Sequence, residues 1–144
     1  MVAAMKIDKA AGLFIAQALQ SKPQALGVHG EQVATELFKQ NGYRVLRPGI
    51  KSGDLLVVHL ETGEVNKIEV KTARRNGQGR WQFNMRKKGH TDARYSDYIL
   101  LMAVIVSGRV VAFLIPSVEV SARSQVTLFS HPDRYAGKYR EYRL

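Results

Sequence analysis

Two apolar runs stand close together in the second half of the chain, Tyr98 to Val106 and Val110 to Ile115, separated by Ser107-Gly108-Arg109. The first covers nine residues. A membrane-spanning helix needs about 20, so neither run crosses a bilayer. Short runs of this kind, rich in Val, Ile and Leu and bounded by a turn, read as strands buried in a sheet. A sheet built around them needs covering layers, which points to a sandwich of helices and strands.

The preceding segments offer that material. Residues 8–20 bring Leu13, Ile15, Ala16 and Leu19 to one helical side, and Ser21-Lys22-Pro23 breaks the pattern. Lys6 and Lys9 ahead of an apolar stretch faintly resemble a signal peptide, but Asp8, Gln17 and Gln20 interrupt it, and an amphipathic first helix is the expectation. A second helix is expected over residues 27–40, with Val33, Ala34, Leu37 and Phe38 as its stripe and Asn41-Gly42 as its stop. From residue 43 the texture becomes that of strands. Tyr43 to Leu46 is short and extended, and Pro48-Gly49 closes it. Leu55 to Leu60 and Val65 to Thr72 flank the turn Glu61-Thr62-Gly63-Glu64 as a hairpin. Further strands are expected at Trp81-Gln82-Phe83 and at Gln125 to Phe129, and the fold class is α/β (α+β), with a mixed sheet.

Charge narrows the partners. Against 12 Asp+Glu the chain carries 22 Lys+Arg, a formal net charge of +10, which favours nucleic acid or an anionic membrane surface. Cysteine is absent, so disulfide frameworks, thiolate zinc sites and Cys nucleophiles are all excluded, in keeping with a cytoplasmic protein. Histidines 29, 59, 90 and 131 show no metal-ligand spacing.

In so basic a chain the placement of a few acids is informative. Asp54 follows Ser52-Gly53 at the start of an apolar strand, and Glu69 and Lys71 lie two apart on the next. Strand alternation puts Glu69 and Lys71 on one face, with Ile68 and Val70 on the other. If the hairpin pairs as read, Asp54 and Glu69 approach each other at one end of the sheet. Two neighbouring carboxylates call for a cation, and hard divalent ions such as Mg²⁺ or Mn²⁺ suit them. A lysine beside them can hold an attacking water or the charge of a phosphate, which is the outline of metal-assisted phosphodiester hydrolysis. Glu31, at the edge of the second helix's apolar stripe, can lean toward the same place, and Gly30 permits a close approach there. Each acid also has an ordinary reading: Glu69 and Lys71 as a solvated strand face, Asp54 as a turn residue, Glu31 as a first-turn acid favoured by the helix dipole.

Taken in order, Gly30-Glu31, Gly53-Asp54 and Glu69-Val70-Lys71 resemble the PD-(D/E)xK nuclease superfamily, and its Holliday-junction-resolvase and restriction-endonuclease-like branches most of all. The resemblance covers roughly residues 27–106, with Asp97-Tyr98-Ile99-Leu100 similar to a later core strand of that fold. Gly53 stands where the family name has proline. The resemblance implies a restriction-endonuclease-like three-layer sandwich, a central mixed sheet flanked by helices. It implies that Asp54, Glu69 and the Val70 carbonyl ligate Mg²⁺, that Lys71 positions or activates water, and that Glu31 ligates or orients a second ion or its water. One domain over residues 1–144 then divides into an N-terminal helical extension (1–24), a catalytic core (25–115) and a basic C-terminal segment (116–144).

Just beyond Lys71 the chain carries Arg74, Arg75, Arg80, Arg86, Lys87, Lys88 and Arg94 against one acid, Asp92, with Trp81, Phe83 and Tyr95 interleaved. Such a segment can follow a phosphate backbone and stack on unpaired bases. Arg74, Arg75, Arg80, Gln82, Arg86, Lys87, Lys88 and His90 are the candidate nucleic-acid contacts. The tail, with Arg134, Lys138, Arg140 and Arg143 among Tyr135, Tyr139 and Tyr142, is a second candidate contact or a dimer edge. The expectation is a Mg²⁺-dependent DNA endonuclease, Mn²⁺ substituting, cytoplasmic or nucleoid-associated. It acts as a homodimer and needs no small-molecule cofactor or membrane. Small size favours structure-directed cutting, as in junction resolvases. The alternatives are a restriction or homing-type endonuclease, a catalytically silent nucleic-acid-binding module, and an RNA-directed relative.

Overall fold

In the computed structural model, the two apolar runs become neighbouring strands, β5 (Tyr98–Val104) and β6 (Val110–Pro116). The structure describes residues 5, 7, 13–15, 23–46, 54–85, 96–120 and 125–144, with the backbone alone at Pro23, Gln24, Asp54 and Ser107. Alternate residues of β5 and β6 enter two different cores. Leu100, Met102, Val104, Ala112 and Leu114 belong to one, while Ile99, Leu101, Ala103, Val111, Phe113 and Ile115 belong to the other. Both faces of these strands are therefore covered, which is why their sequence shows no polar alternation.

Three further strands complete the sheet: β1 (Tyr43–Leu46), β2 (Asp54–His59) and β3 (Val65–Arg74). Their order is β1-β2-β3-β5-β6, with β3 and β5 parallel and the other pairs antiparallel. The mixed α+β class is the one expected. One face packs on helix α1 (Pro23–Gln40). The other is covered, among the described residues, by β4 (Trp81–Asn84) and β7 (Gln125–Leu128), a two-stranded antiparallel sheet, together with Tyr139. Trp81, Phe83, Val126 and Leu128 point inward from this small sheet.

Helix α1 begins four residues before the expected start. Pro23 opens it rather than ending what precedes it, because proline fits the first helical turn, where its missing N–H would have no partner. The stripe Leu26, Gly30, Ala34, Leu37 and Phe38 is buried, and Gly42, with φ +88°, follows the helix end. At Gly30 the helix lies directly on β3. A Cβ there would stand 2.0 Å from Thr72 Oγ1, 3.1 Å from its Cβ and 3.3 Å from its Cγ2. Rotating the threonine would only exchange hydroxyl for methyl, so the backbones themselves would have to separate.

The expected first helix over residues 8–20 is corrected where that segment is described. Leu13 to Ile15 is extended and lies along the outer edge of β6: Val110 N–H donates to the Leu13 carbonyl at 3.0 Å, and Ile15 N–H to that of Gly108 at 2.8 Å. The unpaired edge of β6 offers backbone partners that a helix would forgo. The rest of residues 8–20 lies outside the described residues. Leu144 N–H donates to the Ala112 carbonyl farther along the same strand. Near this edge Arg109 pairs with Asp133, and the guanidinium hydrogen-bonded to it holds the Asp133 carboxyl below the usual carboxylate range.

Two predictions follow from these contacts. Gly30→Ala gains about 1 kcal/mol of helix propensity on an exposed helix, but here overpacking costing about 1–3 kcal/mol outweighs it. Denaturant unfolding should show net destabilisation. Because the Asp133 pKa is depressed in the folded state, its pairing stabilises the protein above the unfolded value of about 3.9 and is lost as pH falls through the folded one. Asp133→Asn should flatten that acid limb of a thermal-stability profile, and added salt should shrink the difference.

Candidate active site

The hairpin register sets Asp54 directly opposite Glu69, as the sequence predicts. The hydrogen-bond parity of this hairpin can be followed from its turn. His59 N–H donates to the Glu64 carbonyl at 2.9 Å, so alternate pairs along the ladder are hydrogen-bonded, and the Ile68 backbone faces β2 while that of Glu69 does not. Lys67, two residues earlier and of the same parity as Glu69, accepts from Asp97 N–H on the β5 side. Asp54 and Glu69 are thus a non-hydrogen-bonded pair, the kind whose Cα atoms approach to about 4.5 Å. The Asp54 side chain lies outside the described residues.

By the same parity the Val70 N–H and C=O point toward the β2 side of the sheet. No described strand is there to meet them, because β2 begins at Asp54 while β3 runs on to Arg74. Thr72 shares this orientation. The carbonyl that the resemblance names as a ligand therefore opens onto a stretch of strand edge with no partner among the described residues, next to the Asp54–Glu69 pair.

Glu69 and Lys71 project from the face opposite α1. Ile68 and Val70 enter the α1 core, and Ala73 enters the other. Lys71 Nζ lies 3.2 Å from Glu69 Oε1, and their side chains are only 19% and 14% exposed. That degree of burial argues against a solvated strand face, since a pair so shielded from water must neutralise itself. Glu31 lies in the α1 layer, one residue beyond the Gly30–Thr72 contact, and is 7% exposed. It is the ninth residue of an eighteen-residue helix, too far from the N-terminus for the dipole to explain it. Its carbonyl accepts from Thr35 Oγ1 at 2.8 Å, while no described residue hydrogen-bonds its carboxylate. Helix and strand carboxylates sit on opposite sides of the sheet, so they converge only around the open edge of β3. Among the described residues no three His, Asp or Glu side chains form a ready cluster for a metal. The donors that the described residues offer toward this edge are nonetheless all oxygen: Glu69, Glu31 and a main-chain carbonyl, with the Asp54 backbone in register. That chemistry fits Mg²⁺ or Mn²⁺ and excludes soft-metal sites.

Of the candidate nucleic-acid contacts, Arg74, Arg75 and Arg80 gather at the far end of β3, where Arg75 bridges to Trp81. Gln82 is exposed on β4 opposite Thr127, directed away from the core and from Glu69 and Lys71. Arg86, Lys87, Lys88 and His90 lie outside the described residues. Sequence reasoning missed Thr72, the seat of Gly30, and it missed Phe129 and His131, which join the arginines. The strand alternation that marks Val70 as core marks Thr72 equally, and the glycine one turn from Ala34 was the signal for a close approach.

This fold is shared with a solved bacterial homing endonuclease, I-Ssp6803I, with a TM-score of 0.66 at 21% identity over 86% of this chain and 88% of that one. The chain thus has an endonuclease-like α+β fold. No family model matches it, and no curated protein sequence does.

Glu31, buried and without a partner among the described residues, carries its own prediction. In EDTA, Glu31→Gln should stabilise the protein by about 1 kcal/mol in denaturant unfolding, since it removes a buried charge at equal volume. The same variant should gain less thermal stability than the parent when Mg²⁺ is added.

Proposed function

We propose that this chain is a divalent-metal-dependent DNA endonuclease of the PD-(D/E)xK kind, cutting phosphodiester bonds at the open edge of β3. The observation that carries the reading is the shielded Glu69–Lys71 pair, set beside Asp54 by register and beside a main-chain carbonyl with no strand partner among the described residues. Asp54, Glu69 and the Val70 carbonyl would hold Mg²⁺ or Mn²⁺, with Glu31 as a further ligand or an orienting group. The ion supplies Lewis-acid stabilisation of charge on the phosphate and eases deprotonation of water. Lys71, which neutralises Glu69 at 3.2 Å, holds the attacking water or the phosphate's charge once the carboxylate has another counter-ion. The excess of basic residues supplies attraction for the DNA backbone. A homodimer would present two such sites to the two strands.

Two substrates fit this site: branched DNA, as in junction resolvases, and duplex cut at defined positions. The fold neighbour favours the second. It is described as a homing endonuclease, and this chain covers 88% of it, so small size does not weigh against sequence reading in this fold.

A cleavage assay with Mg²⁺, and with EDTA as control, tests the proposal on linear duplex, single strand, flap and four-way junction. Glu69→Gln and Lys71→Met should each lower cutting at least about a hundredfold, with DNA binding kept. Metal binding followed by calorimetry should weaken in Glu69→Gln and persist in Lys71→Met. Full cleavage by Glu69→Gln would overturn the assignment.

A further inference from the structure

The carboxyl ends of β3 and β5, paired at Arg74 and Val104, open into a cleft of about 730 Å³. That volume lies within the range of roughly 300–1,000 Å³ typical of sites for small ligands. Its walls include Arg74, Arg75, Trp81, Val106, Phe129 and His131, and among the described residues no carboxylate lines it. β3 carries the chain three residues from Lys71 to Arg74, about 10 Å, or about three base-pair rises.

Each wall is held in place. The Trp81 indole N–H donates to the Val104 carbonyl at 2.9 Å, and the ring is 4% exposed. His131 meets it edge to face at 5.8 Å, while its Nδ1 accepts from Asp133 N–H at 3.3 Å. The Arg75 guanidinium rests on the turn at Gly79, with Nη2 3.1 Å from where a Cβ would be, so only glycine, here at φ +76°, leaves it that seat. Asn76 Oδ1 braces the turn by accepting from the N–H groups of Gln78 and Arg80. Against this fixed frame Phe129 is 68% exposed and Val106 81%. The Arg80 guanidinium carbon lies 4.8 Å above the Phe129 ring centroid.

An intact duplex offers phosphates to such a surface but no base face. A concave site with an exposed aromatic ring, a guanidinium already stacked on it and further cations around suits a flat π system that carries negative charge. We propose that this arginine–aromatic cleft binds one unstacked nucleotide of the DNA, its base on Phe129 and its phosphates against Arg75 and Arg80. The inference rests on the nuclease reading and extends it. An unpaired or flipped nucleotide within a few positions of the cut becomes part of what the protein recognises.

The test compares binding, by fluorescence anisotropy in EDTA, of one labelled duplex with the same duplex carrying a single-nucleotide bulge. The parent protein should prefer the bulged DNA about tenfold, in line with the stacking contribution of one base. Phe129→Ala should erase that preference and keep the salt slope on intact duplex, because no charge changes. Phe129→Tyr should retain it, and Arg80→Gln should lower the salt slope by about one. Equal bulge preference in Phe129→Ala overturns the cleft assignment. So does a change of sedimentation coefficient in that variant, which would make the patch a contact between protein copies. Cleavage by the parent with Mg²⁺, run on the same duplexes, separates the two levels. Cutting without any bulge preference overturns this inference alone, whereas absence of both binding and cutting overturns the nuclease reading with it.

Discussion

β2 has six residues and β3 has ten, and because they share a tight turn the surplus falls at one end. A stretch of strand edge with no described partner is ordinarily a liability, since N–H and C=O groups there call for pairing. Here it places a main-chain carbonyl, a shielded acid–base pair and the start of β2 within one strand width. α1 closes the same region from the other face, and Gly30 on Thr72 sets how near it comes. Among the described residues, the offset between these two strands, rather than any one side chain, brings the groups together.

The other end of the sheet is managed in the opposite way. β6 is almost wholly buried and presents an edge that would be prone to pairing with other chains. Leu13 to Ile15 and Leu144 occupy its backbone groups instead. The contrast marks the stretch of β3 beyond β2: the β6 edge is covered by Leu13 to Ile15 and Leu144, whereas the inner strand β3 runs past its described neighbour beside shielded carboxylates.

Elements with strong, uniform patterns were legible in the sequence. The apolar runs became β5 and β6, the turn Glu61 to Glu64 gave the hairpin, and the pairing of Asp54 with Glu69 followed from its length. Less was legible where two local rules compete. Pro23 reads as a breaker after one helix and equally as the first residue of the next, and only tertiary structure decides; with it moves Glu31, from a first-turn acid to a buried mid-helix one. Leu13 and Ile15 satisfy a helical stripe and a two-residue alternation alike, and the free edge of β6 selects the second. Phe129 and His131 lie some fifty residues from Arg75 and meet it only because β7 pairs with β4. No local signal encodes such a meeting.

The acids of a chain with net charge +10 divide by what neutralises them. Asp97 accepts from Lys67 N–H at 2.7 Å, Asp133 pairs with Arg109, and Glu64 accepts weakly from Asn66 at 3.4 Å. Each of these serves a turn, a strand start or a surface pair, and each is satisfied by a neighbour that the fold supplies. Among the described residues Glu69 pairs with Lys71 alone, and the Glu31 carboxylate has no described partner although the residue is 7% exposed. Among the described residues these two acids thus stand apart from the rest, on either side of the edge where the Val70 carbonyl meets no described strand, a setting whose charge a bound cation would offset.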